Sequence, residues 1–256
     1  LDEMTPPDET DLVAEVTCEQ AVLLNEGAVA ENGEKLPRLA VIDCGIKYNI
    51  LRELCKRFEV VWCPATTTFD EILEWQPDAF FASNGPGDPA HTGAATTARD
   101  SLAAAVRAGL PVMGICLGHQ LMGLAAGLRT YKLRYGHRGA NQPVVDLQSG
   151  RVNITSQNHG FAVEDPEKGM LAPHPSGVCS VRGRNELEAP FEVRHVNAND
   201  RTVEGLDLIG RRAFTIQFHP EACPGPHDAA PLFDRFQEMV ANHLEGEPIP
   251  AARGDA

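Results

Sequence analysis

The sequence predicts an α/β fold, a mostly parallel sheet with helices on both faces. From Leu36 onward, short continuous apolar runs alternate with amphipathic segments, the pattern of strands buried by crossover helices. Asp43, Ser83 and Cys116 follow three of the predicted strands, and sites in parallel sheets lie beyond the carboxyl ends of the strands. The 256 residues are enough for one large domain with an ample core. These observations predict one crevice at the sheet edge.

The elements follow each other in a regular βα order in the first half of the chain. Strands are predicted at residues 39–42, 60–62, 79–82 and 110–113, each a short apolar run. Helices are predicted between them at residues 50–58, 69–75 and 96–108, the first with apolar spacing of three and four, the last rich in alanine. Residues 133–218 have shorter, more β-like patterns, and a helix over residues 229–243 closes the chain.

The composition predicts three regions. Residues 1–35 are acidic at the start and poor in aromatics, which indicates an arm or linker rather than a core. Residues 36–245 form the main domain, and residues 246–256 form a flexible tail.

Charge and cysteine usage exclude several classes of protein. The formal net charge of −14 argues against a nucleic-acid surface, which needs basic stripes. No apolar run is long enough to span a bilayer. The seven cysteines show neither paired spacing nor a metal-type cluster, which favours reduced thiols in a cytoplasmic protein.

The segment Gly114-Ile115-Cys116-Leu117-Gly118 has the pattern of a nucleophile elbow with a thiol. It follows a predicted strand and opens a predicted helix, where the helix dipole favours a thiolate. The flanking glycines would allow a tight, strained turn. Taken alone, a cysteine between glycines is about as often a small buried apolar residue.

The segment His219-Pro220-Glu221 supplies candidates for a base and the group that orients it. Apolar residues alternate with Thr215 and Gln217, which predicts a strand over residues 214–218 that is half-buried on one face. His219 ends this strand, Pro220 prevents further pairing, and Glu221 is close enough to orient the imidazole. Alone, a strand-end histidine bonded to a backbone carbonyl would be the simpler interpretation. With the elbow, we favour a Cys116-His219-Glu221 triad.

These motifs resemble class I (triad-type) glutamine amidotransferases, and within them the small, glutamine-hydrolysing subunit of carbamoyl phosphate synthetase. The resemblance covers about residues 12–243, and it implies a flavodoxin-like sheet with a nucleophile elbow. The elbow and His-Pro-Glu are shared with sister amidotransferases, whereas the last two of the following segments are specific to the synthetase subunit. The segments are residues 43–52, 83–89, 135–144, 156–163 and 220–234.

The resemblance also implies a division of labour. It assigns glutamine binding to Gly85, Gly87, Leu117, Gln120, Asn158, Gly160 and Phe161. Ammonia released from glutamine would pass to a large synthetase subunit in a hetero-oligomer, for carbamoyl phosphate used in pyrimidine and arginine synthesis. No cofactor or metal is expected on this chain, which lacks a P-loop motif, and ATP and Mg²⁺ are expected on the large subunit.

Two alternatives to this interpretation stay open. Residues 11–17 resemble the join to an N-terminal domain of the family, so that domain is expected to be absent, and with it a serine of the glutamine pocket. A non-catalytic subunit or inert fragment therefore remains possible beside an active glutaminase. An amidotransferase that serves a different synthase is the other alternative, which the run over residues 224–234 argues against.

The chemistry needs an oxyanion site, and several other polar residues have simpler structural interpretations. The N–H groups of Leu117, at the helix start, and Gly87, in a Gly-Pro-Gly turn, are candidates to bind the oxyanion. His119 is expected to be structural. His137, His159 and His227 are expected to bond backbone or form interfaces, and Asp43 and Lys47 receive no catalytic role.

Overall fold

A ten-stranded sheet runs through the part of the chain that the computed structural model describes, residues 10–165, 187 and 189–249. Within these residues the helices are α1 (Leu12–Val16), α2 (Tyr48–Cys55), α3 (Phe69–Leu73), α4 (Ala94–Arg107), α5 (Leu117–Ala125) and α6 (Pro231–Leu244). The strands are β1 (Val22–Leu23), β2 (Arg38–Asp43), β3 (Glu59–Pro64), β4 (Ala79–Ala82), β5 (Val112–Ile115), β6 (Thr130–Asp146), β7 (Val152–Val163), β8 (Phe191–Asn197), β9 (Val203–Leu208) and β10 (Ala213–Ile216).

One part of the sheet is parallel and positions the predicted site residues. Strands β3, β2, β4, β5 and β10 lie side by side in this order, all parallel. Their carboxyl ends meet at one edge, where the Ser83 hydroxyl accepts a hydrogen bond from the Cys44 N–H at 2.9 Å. The Ser83 carbonyl accepts another from Gly118 N–H at 3.0 Å. The chain segments after β2, β4 and β5 are therefore in contact, as the sequence predicts.

The rest of the sheet is antiparallel, so the predicted mostly parallel sheet is present only in part. Strands β9, β7, β6 and β8 pair antiparallel with their neighbours, and β1 pairs antiparallel with β3. The cause is the length of the connections. A parallel pair needs a crossover of about a dozen residues, whereas β6 and β7 are separated only by residues 147–151 and β8 and β9 only by residues 198–202.

Helices cover both faces of the parallel part, as predicted. Buried apolar residues of α2 and α6 pack on one face, with Phe58, Phe81 and Phe236 among the largest fully buried side chains. Helices α3, α4 and α5 pack on the other face. None of the helices in the described residues combines the length and the hydropathy of a membrane span.

The described part of the predicted arm lies against the domain. Val13 of α1 is buried in the core, and β1 extends the sheet beyond β3. At the other end, the Arg212 guanidinium donates a hydrogen bond to the Glu247 carbonyl. Residues 1–9 and 250–256 lie outside the described residues, as does Cys179. The predicted division at residues 35 and 245 stays a prediction.

The prediction of a half-buried strand at residues 214–218 was wrong. Strand β10 is buried on both faces, because it lies between β5 and β9 and α5 covers its polar side. Thr215 Oγ1 lies 2.9 Å from His119 Nδ1, and Gln217 Oε1 accepts a hydrogen bond from Gln120 Nε2 at 3.0 Å. The polar residues of the alternating pattern are therefore partners of α5 and are not exposed to solvent.

Candidate active site

Cys116 joins β5 to α5 in a strained backbone conformation. Its φ and ψ angles are 55° and −99°, a region that non-glycine residues rarely adopt. The backbone is held on both sides: Cys116 N–H donates to the Ile216 carbonyl at 2.8 Å, and the Cys116 carbonyl accepts from Gln120 N–H at 3.2 Å. This is the geometry of a nucleophile elbow, which presents a side chain at the sheet edge.

The glycines around the elbow are required by space. A Cβ on Gly118 would lie 2.3 Å from the Ala82 carbonyl oxygen, and one on Gly114 would lie 2.9 Å from the Gly118 carbonyl group. From the sequence, these glycines were expected to let the backbone take a tight, strained turn. The positive φ belongs to Cys116 itself, and the glycines allow α5 to approach β4 and β5 closely.

His219 and Glu221 lie together in the interior beside Cys116. His219 Nδ1 is 2.9 Å from Glu221 Oε1, and each side chain is only 3% exposed. The His219 N–H donates to the Ser156 carbonyl at 2.9 Å, which ties the end of β10 to β7. Burial alone lowers the pKa of His219, but hydrogen bonds with Cys116 and Glu221 outweigh burial and raise that pKa to about 9. The structure thus brings the three predicted triad residues together.

Two residues that the sequence did not indicate as functional contact Glu221. Lys47 Nζ lies 3.2 Å from Glu221 Oε1, and the Asn49 side-chain amide donates to the Glu221 carbonyl. Burial acts to raise the pKa of Glu221, but His219 and Lys47 favour its carboxylate, and the net effect is a lowered pKa. Lys47 precedes α2 at the edge that also carries Cys116, which is the sequence signal that could have identified it.

A cavity of about 280 Å³ opens over Cys116. It is close to the lower end of the size range of small-molecule sites. Six predicted binding residues line it, whereas Leu117, His219 and Glu221 do not belong to its lining. Its walls are Gly85, Pro86, Gly87, Cys116, Gln120, Lys132, Arg138, Asn158, His159, Gly160 and Phe161.

Two hydrogen bonds hold the Gln120 side chain in place and leave its Oε1 atom as an acceptor. Its Nε2 group donates to the Phe161 carbonyl at 2.8 Å and to Gln217 Oε1 at 3.0 Å. Because an amide NH₂ has two protons, both are used, and the Oε1 atom remains as an acceptor. Leu117 is the first residue of α5, so its N–H has no acceptor within the helix.

Two cationic side chains in the cavity wall were not selected from the sequence. Lys132 and Arg138 both belong to β6, and both line the cavity. The Arg138 guanidinium donates to the Tyr135 carbonyl beside Gly136, whose φ is +70°. The register of β6 against β7 shifts between Lys132 and His137, and such a bulge re-aims side chains. A bulge leaves no clear signal in a sequence.

A comparison with known families shows the family of this chain. The profile described as "Glutamine amidotransferase class-I" matches residues 40–239, which include the elbow, the cavity and His219. The chain belongs to this family. The amidotransferase thus has the family that the sequence motifs predict.

Individual proteins with similar sequences give a more specific comparison than the family profile. Proteins named "Carbamoyl phosphate synthase small chain" include one from Syntrophotalea carbinolica, 41% identical over 93% of this chain, and one from Methanopyrus kandleri, 44% identical over 92%. The amidotransferase spans 59% and 57% of the length of these two relatives.

A solved structure described as a GMP synthase component from Thermoplasma acidophilum has a similar fold. Its TM-score is 0.61 at 18% identity, and the match covers 83% of this chain and 98% of that one.

Proposed function

We propose that this amidotransferase hydrolyses glutamine to glutamate and ammonia as the glutaminase part of a carbamoyl phosphate synthase. The observation that carries the proposal is the buried group of Cys116, His219 and Glu221, of which Cys116 lines the cavity. The identity of 41–44% to carbamoyl phosphate synthase small chains supports this synthase over others.

Cys116 is the proposed nucleophile. The His219 imidazolium and the start of α5 stabilise a thiolate, which attacks the side-chain carboxamide carbon of glutamine. The attack turns the carbonyl oxygen into an oxyanion, for which the N–H groups of Leu117 and Gly87 are the proposed donors. Gly87 has a φ of +90°, so an L side chain there would be strained.

His219 is the proposed proton carrier. It protonates the departing nitrogen, so that ammonia leaves and a γ-glutamyl thioester remains on Cys116. It then takes a proton from water, whose attack on the thioester releases glutamate and regenerates the thiolate. Glu221 orients the imidazole and stabilises its charged form.

Six residues of the cavity wall, together with Leu117 behind it, are the proposed glutamine-binding residues. Gly85, Gly87, Leu117, Gln120, Asn158, Gly160 and Phe161 keep the role that the family resemblance assigns to them. The free Oε1 atom of Gln120 suits the substrate ammonium group.

The partner is proposed to be a carbamoyl phosphate synthase large subunit that uses the ammonia with bicarbonate and ATP. The printed name "small chain" of the relatives supports a two-subunit enzyme. ATP and Mg²⁺ are proposed to bind the partner.

We also infer that the parallel part of the sheet is flavodoxin-like. Numbered along the chain, its five strands have the order 2-1-3-4-5, which is the flavodoxin order, and this supports the inference.

Glutamate release from glutamine, with and without a carbamoyl phosphate synthase large subunit, tests the proposal. We expect release by the wild-type chain that rises when the large subunit is added. The Cys116→Ala variant should lose at least about 10³-fold in rate, because the nucleophile is gone. Cys223→Ala, which removes an exposed thiol, is the matched control and should retain activity.

Three other results would each contradict a different part of the proposal. Release that persists in Cys116→Ala would exclude the triad. Release that depends on Cys116 but rises only with another synthase would exclude carbamoyl phosphate synthesis. No release from folded wild-type chain, with or without the large subunit, would exclude glutaminase activity of this chain.

A further inference from the structure

A chain of polar side chains runs behind the wall of the cavity, buried except at its outer end, where the Asp200 side chain is 47% exposed. The proposed reaction does not use it. Its members are Asp200, His137, Glu204, Gln157 and His159, which we call the buried polar chain. His137 comes from β6, Gln157 and His159 come from β7, and Glu204 comes from β9. It therefore ties together three strands of the antiparallel part of the sheet.

Each link of the buried polar chain is short. His137 Nε2 is 2.8 Å from Asp200 Oδ2, and His137 Nδ1 is 3.2 Å from Glu204 Oε1. The Gln157 amide donates to Glu204 Oε2 at 3.0 Å. The Oε1 atom of Gln157 is 3.0 Å from His159 Nε2.

Charge decides the state of His137. The Glu204 side chain is fully buried, and an isolated carboxylate there would be costly. Burial is the largest effect on the pKa of Glu204 and raises it; hydrogen bonding with His137 opposes burial, but the net pKa stays raised. Both ring nitrogens of His137 lie near carboxylate oxygens, Nε2 at hydrogen-bond distance from Asp200 and Nδ1 at ion-pair distance from Glu204, so an imidazolium places its positive charge between two anions. The hydrogen bond with Glu204 is the main cause that raises the pKa of His137, to about 9.

The other end of the chain reaches the proposed glutamine site. His159 lines the cavity, and its Nδ1 atom is 2.8 Å from the Phe161 carbonyl oxygen. The same oxygen accepts a hydrogen bond from Gln120 Nε2 at 2.8 Å. The His137 and His159 rings also pack edge to face, with centroids 4.9 Å apart. A displacement of His137 would thus be transmitted to residues 158–161 and to Gln120.

We propose that His137, as an imidazolium clamped between Asp200 and Glu204, is a positioning residue that holds the wall at residues 158–161 in the shape that binds glutamine. The inference rests on the proposed function, because it takes glutamine to be the ligand. It adds a buried ion pair that acts through His159 and does not touch the substrate.

A bound metal ion is the competing occupant of this place. His137, His159 and Glu204 each have one potential ligand atom, and these three atoms lie within 4.8 Å of one another. A metal ion would need an unprotonated ring nitrogen of His137, whereas the clamp needs a proton on both ring nitrogens. The two states can therefore be distinguished by the proton.

Three variants test the positioning role through steady-state kinetics. His137→Gln leaves the Glu204 carboxylate buried without its cation, and Glu204→Gln removes the anion. Each single variant should raise the KM for glutamine about tenfold and change kcat less than about threefold. The double variant removes both charges, and its KM should lie closer to wild type than that of either single variant. Glu164→Gln, in the exposed pair with Arg129, is the matched control and should leave KM unchanged.

The proton is observed directly by ¹⁵N NMR of the histidine rings at pH 7, without substrate. We expect N–H signals on both ring nitrogens of His137, and their loss in Glu204→Gln. Alkylation of Cys116 by iodoacetamide should be equally fast in wild type and all variants, because the elbow is unchanged.

The outcomes separate this inference from the proposed function. A neutral His137 ring, stoichiometric metal in the purified protein, or a KM that none of the variants changes would overturn the inference while glutamate release stands. A doubly protonated His137 in a chain that neither binds nor hydrolyses glutamine would overturn both the glutaminase and the positioning role, and leave only the ion pair.

Discussion

Cys116 has a backbone conformation that few non-glycine residues adopt, and its neighbours hold it there. Strain of this kind costs about 1–3 kcal/mol and persists where the surrounding structure overdetermines it. Here the hydrogen bonds to Ile216 and Gln120, and the close contact of Gly118 with Ala82, supply that constraint. The stored strain is consistent with a site selected for reactivity over stability.

Glu221→Gln tests whether the carboxylate keeps His219 charged. The amide is nearly the same size but removes the negative charge 2.9 Å from Nδ1. We expect kcat/KM for glutamine hydrolysis to fall about 10²-fold, because the imidazole loses its orientation and its stabilised proton. The pKa of His219, followed by NMR, should fall from about 9.

Asp234→Asn is the control for Glu221→Gln. Asp234 also pairs with a cation, Arg57, but its side chain is 66% exposed and lies outside the site. Activity should be unchanged. A Glu221→Gln enzyme with wild-type kcat/KM would show that His219 needs no carboxylate.

Among single residues, the sequence identified the candidate site residues that lie in distinctive motifs. It missed those whose partners are distant in sequence. Cys116, His219 and Glu221 lie in short patterns whose chemistry is readable, and the structure brings them together. The position of Lys47 at the edge that carries Cys116 can be read from the sequence. Its contact with Glu221, 174 residues away, depends on the fold. His137 was expected to bond backbone or form an interface, but its partners are carboxylates contributed by other parts of the chain.

Helix α5 and strand β4 are in such close contact that a single methyl group should separate them. We expect Gly118→Ala to lower the free energy of unfolding by about 2 kcal/mol, because its Cβ would lie 2.3 Å from a backbone oxygen that cannot rotate away. Urea unfolding measures the change. The same variant should lose glutaminase activity, since the start of α5 carries Cys116 and Leu117.

Gly210→Ala is the control that distinguishes the cost of a steric clash from the cost of an unfavourable backbone conformation. Gly210 has a φ of +70°, but no atom lies within 4 Å of where its Cβ would be. Only the cost of the left-handed conformation applies, about 1 kcal/mol. If Gly118→Ala proves no more destabilising than Gly210→Ala, close packing does not explain the glycine.

Helices and strands were predictable from the sequence where a single pattern of apolar residues continues through the whole element and the elements packed beside it are close in sequence. The run over residues 79–82 is strand β4, and the helix predicted at residues 96–108 is α4 within two residues. Strand β10 was misjudged because alternation was taken to mean an exposed face. The sequence does not show that α5 supplies buried partners for Thr215 and Gln217.

The whole molecule combines a parallel unit that carries the nucleophile with an antiparallel unit that carries the opposite wall of the cavity. Cys116 lies between β5 and α5 and Gln120 belongs to α5, whereas Asn158, Gly160 and Phe161 come from β7. Because the two units share one continuous sheet, the cavity is formed without a hinge between them. The sequence indicated a β-rich second half, but the order of its strands depends on pairings that composition does not specify.

Buried histidines should give the molecule a stability maximum near pH 6.5. Burial lowers the pKa of His119 to about 3 and of His159 and His195 to about 4, so between pH 6.5 and 4 the unfolded chain binds up to about three more protons at these positions. The free energy of unfolding should then fall with falling pH, by up to about 4 kcal/mol per unit.

His137 and His219, with pKa values of about 9, act in the opposite direction: their contribution is complete below pH 6.5 and is lost as the pH rises through 9. Urea unfolding from pH 5 to 9 measures both limbs, and His195→Gln should reduce the acid slope by about one proton. A free energy of unfolding that rises steadily from pH 5 to 9 would contradict this assignment of charges.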